Sequence, residues 1–231
     1  TPAYIYSRTR ESAEQLSERL RDVPYSTDIS RVPTDGDLYI FAVKDSALLD
    51  LVSRMPSNRG LWVHTAGSMD MEVFAPYTAR YGVFYPMQTF SKERETDFDD
   101  IPIFVETNHT DDTERLQKLA GRLSTKVYEA TSEQRKYLHL AAVFACNFSN
   151  HLYALCDRIL SEHGLPFETM LPLIRETAAK VADMPPAQAQ TGPAIRYDKN
   201  VIDKQMALLS DPTMRQIYDL MSRSIHETNK H

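Results

Sequence analysis

Through the first 130 residues, short apolar runs alternate with stretches whose apolar positions recur every three or four residues. Ala3-Tyr4-Ile5-Tyr6 is a β-type run leading into Ser7-Arg8-Thr9. From Glu11 to Arg21, Ala13, Leu16 and Leu20 fall at helical spacing and predict one apolar stripe. Asp37 to Val43 is almost continuously apolar, which predicts a strand buried on both faces of a parallel sheet. A helix follows from about Ser46 to Arg54, then the strand Leu61-Trp62-Val63, closing at His64-Thr65-Ala66-Gly67-Ser68 before a helix over Met69 to Phe74. Gly82 to Tyr85 and Ile103 to Val105 continue the strands, with an acidic loop from about Glu93 to Asp100 between them. Thr113 to Leu123 reads as a helix and Lys126 to Tyr128 as a short strand. Such alternation predicts an α/β domain with a mostly parallel sheet.

Near Thr131 the pattern changes. Thr131 or Ser132 caps a helix, and no strand signal follows. A long helix is expected from Ser132 to Glu162, stopped by His163-Gly164-Leu165-Pro166. A second covers Phe167 to Ala182, ended by Met184-Pro185-Pro186. An irregular stretch from Ala187 to Asn200 precedes two closing helices, Val201 to Leu209 and Thr213 to Glu227. The fold class read from the chain is therefore α/β then all-α, with domains at 1–130 and 131–231.

Leu138 to Leu155 is apolar nearly all round, so this helix must be surrounded, and a homodimer through the helical domain is the economical way to do so. At about 100° per residue, His139, Asn147 and Asn150 share one face. They either bond to neighbouring groups and orient the helices, or line a cleft between the two domains and meet a ligand.

Charge and cysteine usage narrow the function classes. The 231 residues carry 26 Lys+Arg against 32 Asp+Glu, a net charge of −6 that argues against a nucleic-acid partner. His139, Asn147, Ser149, Asn150 and His151 interrupt the longest apolar stretch, so no membrane span is expected. Cys146 and Cys156 make neither a disulfide framework nor a metal knuckle, and Thr1-Pro2-Ala3 does not open a signal peptide, so a cytoplasmic protein is expected. The seven histidines hold no H-x-x-x-H or H-E-x-x-H spacing, and no metal is expected.

At this point the chain resembles a known group. Val43-Lys44 and His64-Thr65-Ala66-Gly67 at strand ends contribute, as does Thr191-Gly192-Pro193-Ala194-Ile195-Arg196-Tyr197-Asp198 between late helices. Tyr81 to Phe90 and Gln134 to Asn150 strengthen the match. Together they resemble the Rossmann-like NADP oxidoreductases whose helical C-terminal domain has no assigned function. That group is related to pyrroline-5-carboxylate reductases, ketopantoate reductases and deazaflavin-dependent NADP oxidoreductases. The resemblance spans essentially the whole chain and is far more specific for fold than for substrate. Such proteins open with a strand, a Gly-rich turn and a helix that receive the dinucleotide pyrophosphate. Here the seven glycines, at 36, 60, 67, 82, 121, 164 and 192, form no G-x-G. The expectation is that the sequence begins at the family's second strand, with the first unit missing.

The resemblance implies an NADP(H)-dependent oxidoreductase acting on a small carbonyl or imine compound between the domains, or else a non-catalytic dinucleotide-binding or scaffolding dimer. Arg8, flanked by Ser7 and Thr9, suits a ribose 2′-phosphate and offers no acid for NAD; the alternative is a solvated loop. Val43 and Lys44 face the cofactor at a strand end, where Asp45 and Ser46 can equally cap the next helix. Thr65, Ala66 and Gly67 leave room for a nicotinamide ring, or simply form a capped turn. Gln88 and Thr89, Asn150, Thr191 and Arg196 are the substrate-side candidates; Arg196 either grips a carboxylate or pairs with Asp198. His139 is expected to supply the proton and Asn147 to orient the substrate, with Lys136 and His64 as alternative donors.

Overall fold

The computed structural model of the chain describes residues 2–91 and 94–229. Thr1, and Glu93 at the head of the expected acidic loop, lie outside the described residues. Contacts divide the chain into two compact units, Thr1–Asn147 and Phe148–His231.

In the first unit, β1 (Ile5–Tyr6) and β2 (Tyr25–Ser26) pair in parallel as a separate two-stranded sheet. The main sheet runs β3 (Leu38–Phe41), β4 (Leu61–His64), β5 (Tyr81–Pro86), β6 (Ile103–Thr107) and β7 (Val127–Glu129), adjacent in that order. All its pairings are parallel except β5 with β6. Helices α1 (Arg10–Arg19), α2 (Asp45–Ser53) and α3 (Thr110–Ala120) connect strands, so this is a Rossmann-like α/β unit.

Side-chain alternation gives the sheet two faces. On one, Leu61, Val63, Phe84, Ile103 and Val105 pack with Leu116 and Ala120 of α3. On the other, Phe41, Trp62 and Tyr81 pack with Leu48, Leu51 and Val52 of α2 and with Phe74 from the short 3₁₀ turn Met71–Phe74. Phe41, Trp62 and Phe74 meet with ring centroids 5.2–6.0 Å apart, a geometry that favours tilted and edge contacts.

Two sequence expectations fail here. The Asp37–Val43 strand is shorter and is not buried on both faces: Ile40 is 52% exposed, because β3 is the last strand of the main sheet. In α1 the buried residues are Ala13 and Ser17, while Leu16 is 44% exposed. Ser17 donates to the Val23 carbonyl at 2.7 Å, and two small residues one turn apart let the helix sit close to β1 and β2.

The long helix begins where the sequence indicates. Thr131 caps α4 (Ser132–Ala142): its Oγ1 accepts from the Gln134 N–H at 3.2 Å, and Gln134 Oε1 accepts from the Thr131 N–H at 2.9 Å. Helical residues continue to Glu162, but through a π-helical segment, Val143–Phe148, before α5 (Ser149–Glu162). Strand signals stop at residue 130, whereas the compact unit reaches Asn147, because the first turns of α4 are hydrogen-bonded to the sheet and its loops.

The second unit continues with α6 (Leu171–Asp183), α7 (Pro186–Ala189), α8 (Lys199–Leu208) and α9 (Pro212–Thr228). Gly164, at φ +69°, stops α5, with the Leu165 N–H returning to the Leu160 carbonyl at 2.9 Å. Asp211 caps α9 and takes a 2.6 Å ion pair from Arg158. Among its described residues this unit buries only Ala194, Ile202, Met214 and Ser222, a meagre core for its length. No helix among the described residues is long and apolar enough to cross a membrane.

Candidate active site at the carboxyl edge of the sheet

Because β3, β4 and β5 are parallel, their carboxyl ends share one edge of the sheet, where open α/β folds place ligands. Val43-Lys44, Thr65-Ala66-Gly67 and Gln88-Thr89 all follow those strand ends.

A buried polar network ties the middle loop to α4. Arg135 is fully buried and donates from Nη1 to Glu106 Oε2 at 2.8 Å and from Nε to the Ala66 carbonyl at 3.2 Å. Its Nη2 donates to the Met69 carbonyl and, at 3.2 Å, to Ser132 Oγ. Ser132 Oγ in turn donates to Glu106 Oε2 at 2.7 Å and accepts from the Met71 N–H at 3.1 Å, while the Ser132 N–H donates to Glu106 Oε1 at 2.8 Å. Every guanidinium nitrogen therefore has an acceptor, as a buried cation requires. Two exposed contacts add to the anchoring: Lys136 reaches Asp70 at 3.5 Å, and Ser68 donates to Asp45.

The consequence lies one turn further along α4. Ser132, Arg135 and His139 fall at i, i+3 and i+7, on one helical face, so anchoring the first two sets the third over the same loop. A methyl group on Gly67 would stand 2.8 Å from His139 Nδ1 and 2.9 Å from the Tyr85 hydroxyl, closer than side chains tolerate. Glycine at 67 is thus what allows imidazole and phenol to close on this loop. Tyr85 comes from β5, opposite Phe104 with ring centroids 6.4 Å apart.

His64 lies beneath the loop. Its Nδ1 accepts from the Ala66 N–H at 3.2 Å, which puts the ring proton on Nε2, and that atom has no hydrogen-bond partner among the described residues. Burial first, and the Arg135 charge second, push His64 down to about 4, with the Asp70 backbone, Asp45 and Glu106 opposing only in part. It packs on Phe74 at 5.6 Å. An imidazole buried and neutral down to about pH 4 supports the loop better than it serves as an acid at neutral pH.

The other sequence-derived candidates are placed as follows. Ser7 is half-buried and bonds to β2 through its N–H, whereas Arg8 and Thr9 are exposed ahead of α1. Val43 and Lys44 are exposed; Lys44 itself is the N-cap of α2 without a side-chain cap, so neither Asp45 nor Ser46 caps that helix. Gln88 and Thr89 are exposed and bond to each other. Asn147 is exposed within the π-helical segment, where each residue turns less than in an α-helix. The constant 100° rotation that aligned His139, Asn147 and Asn150 therefore does not carry through this segment. Asn150, Thr191 and Arg196 belong to the second unit and are exposed. Arg196 does not pair with Asp198, which caps α8 instead. Among the described residues no three His, Cys, Asp or Glu side chains are grouped to hold a metal.

The sequence pattern assigns no site role to Arg135, Glu106 or Tyr85, and to Ser132 only that of a helix cap. A polar S-x-x-R-x-x-x-H row at a helix start, and one acidic residue in the alternating strand Ile103–Thr107, were the available signals.

Comparison with known proteins gives the chain its family and fold relatives. Residues 101–225 match the family model described as "Domain of unknown function (DUF2520)". No curated protein matches the chain. Among solved structures, a "putative NADP oxidoreductase" from Bacteroides fragilis is 51% identical, with a TM-score of 0.89, covering 98% of this chain and 88% of that one. A protein from Thermotoga maritima shares the fold at 23% identity and TM-score 0.82, covering 99% of this chain and 91% of that one. A reductive aminase from Aspergillus terreus, solved with NADPH, shares the fold at 14% identity and TM-score 0.71, covering 97% and 85% respectively.

Proposed function

The chain belongs to the DUF2520 family, and on that premise we propose that it is an NADP(H)-dependent oxidoreductase acting on a small carbonyl or imine compound. The observation that carries this reading is His139, exposed on the helix that the Arg135 network anchors, with Nδ1 against Gly67 at the carboxyl end of β4.

The residues present fit a dinucleotide. Arg8 and Lys44 are exposed cations with no ion pair among the described residues, and Ser7 and Thr9 add hydroxyls beside Arg8. Arg8 offers paired hydrogen bonds to a ribose 2′-phosphate, while Lys44 meets a phosphate or the substrate's acid group. Val43 and Thr65 to Gly67 supply small, close-lying walls. The seven glycines form no G-x-G.

When bound, a reduced nicotinamide supplies hydride to the substrate carbon. Of this chain's residues, His139 gives a proton to the oxygen or nitrogen on which charge develops. Lys136, engaged with Asp70, and His64, buried and neutral, are less suited to the proton transfer.

The proposal includes a homodimer. Tyr137 and Leu140 stand exposed on α4, and Leu152, Tyr153 and Ile159 on α5, apolar groups that a second copy would cover.

Calorimetry with NADPH and NADH tests the cofactor assignment. The expected result is tighter NADPH binding, with the preference abolished by Arg8→Ala; equal affinities in the native chain would remove the role given to Arg8. NADPH oxidation with a panel of ketones, 2-oxo acids and imines tests catalysis, and His139→Ala should lower kcat by about 10²–10⁴-fold. NADPH binding without turnover of any compound would favour a non-catalytic dinucleotide-binding protein.

A further inference from the structure

We propose that Tyr85 is a second catalytic residue, and that the pair it forms with His139 selects a carbonyl rather than an imine as the group reduced. This deepens the oxidoreductase reading and rests on it.

The argument starts from the hydroxyl. Tyr85 is half-buried on β5, its ring fixed against Phe104, yet its hydroxyl makes no hydrogen bond among the described residues. That hydroxyl is not sealed from solvent, so it stands free beside the imidazole to meet a ligand. Burial raises the phenol above its ordinary range, which keeps the O–H a donor at neutral pH. Other tyrosines are used differently: the Tyr81 and Tyr25 hydroxyls both donate to carboxylates, Glu72 and Glu14.

The spacing is the second step. Tyr85 Oη and His139 Nδ1 each lie within 3 Å of one point above the Gly67 Cα, so they are under about 6 Å apart. That is the gap one oxygen can span with two hydrogen bonds of about 2.8 Å each. They come from different elements, β5 and α4, both fixed independently of any ligand. Their approach exists only because residue 67 lacks a side chain.

Chemistry then chooses the acceptor. A carbonyl oxygen has two lone pairs and accepts both donors at once, whereas an imine nitrogen has one and a protonated imine none. As the carbonyl carbon accepts hydride from the reduced nicotinamide, the π pair moves onto oxygen. Its growing charge is held by the Tyr85 O–H, and the proton that completes the alcohol comes from His139. Tyr85 keeps its proton throughout, acting as one arm of an oxyanion hole.

The test uses the full chain with saturating NADPH, and butanone, cyclohexanone and 2-oxobutanoate against 1-pyrroline. Tyr85→Phe removes a hydroxyl with no protein partner, so its thermal midpoint should equal that of the native chain. The expected result is a 10²–10³-fold fall in kcat on the carbonyl compounds, the usual loss for one oxyanion donor, with NADPH affinity by calorimetry unchanged. Gly67→Ala, which drives a methyl between the two groups, should lose carbonyl turnover likewise. Native-level carbonyl turnover by Tyr85→Phe, or a native chain that reduces 1-pyrroline in preference to every carbonyl compound, overturns the proposal while leaving the oxidoreductase reading intact. Absence of NADPH binding overturns both.

Discussion

His64 shows how far a single residue's meaning depends on what surrounds it. In the sequence it is a strand-end histidine and a possible proton donor; in the fold it is a buried neutral support for the Ala66 turn. That burial has a measurable consequence. Unfolded, the imidazole takes up its proton near 6.5, but folded only near 4, so between those values the unfolded chain binds more protons. Its contribution is complete above pH 6.5 and is lost as pH falls toward 4, amounting to at most about 3 kcal/mol. Urea unfolding at a series of pH values across that window should show stability falling with acid, and His64→Gln should flatten the slope. An unchanged slope in the variant would mean that other groups govern the acid response. The candidate was visible in His64-Thr65-Ala66-Gly67; its protonation was not, because Phe74 and Arg135 set it from 10 and 71 positions away.

At the scale of an element, α4 is a helix whose position is set by two of its side chains. Its start was readable, since the Thr131–Gln134 capping box is local chemistry. Its docking was not, because Ser132 and Arg135 find Glu106, 26 and 29 residues earlier on β6. Removing one partner of so buried a pair leaves the other uncompensated, so Arg135→Met or Glu106→Gln should each cost about 3–5 kcal/mol by chemical denaturation. The double replacement by Met and Leu should recover part of this, though not all, since the Ala66 and Met69 carbonyls also lose their donor. A single-variant cost below about 1 kcal/mol would mean the network does not hold the helix. The π-helical segment after α4 is the other feature that periodicity missed: apolar spacing cannot distinguish i→i+4 from i→i+5 bonding over six residues.

For the whole molecule, the exposed apolar residues on α4 and on α5 and the small number of buried residues after Phe148 have one explanation in the proposed dimer. Both follow if a second copy completes the core. Light scattering after gel filtration should therefore give twice the 26.4 kDa of one chain. Tyr137→Glu with Leu140→Glu should shift the mass to one chain and lower the unfolding midpoint, because each buried large apolar side chain contributes about 1.5–3 kcal/mol. A native chain that stays monomeric at micromolar concentration would refute the dimer.

The sequence alone determined the class and order of the elements. Strand and helix periodicity, caps and helix stops act over a few residues, and these local preferences were enough to give an α/β unit followed by helices. They also placed the candidate loops at strand ends. Which side chains meet there was decided only by the tertiary structure. The edge position of β3, the Glu106–Arg135 pair and the approach of Tyr85 and His139 over Gly67 all join positions far apart along the chain. Contacts of that kind arise from packing and from the demand that buried polar groups find partners, and no local pattern encodes them.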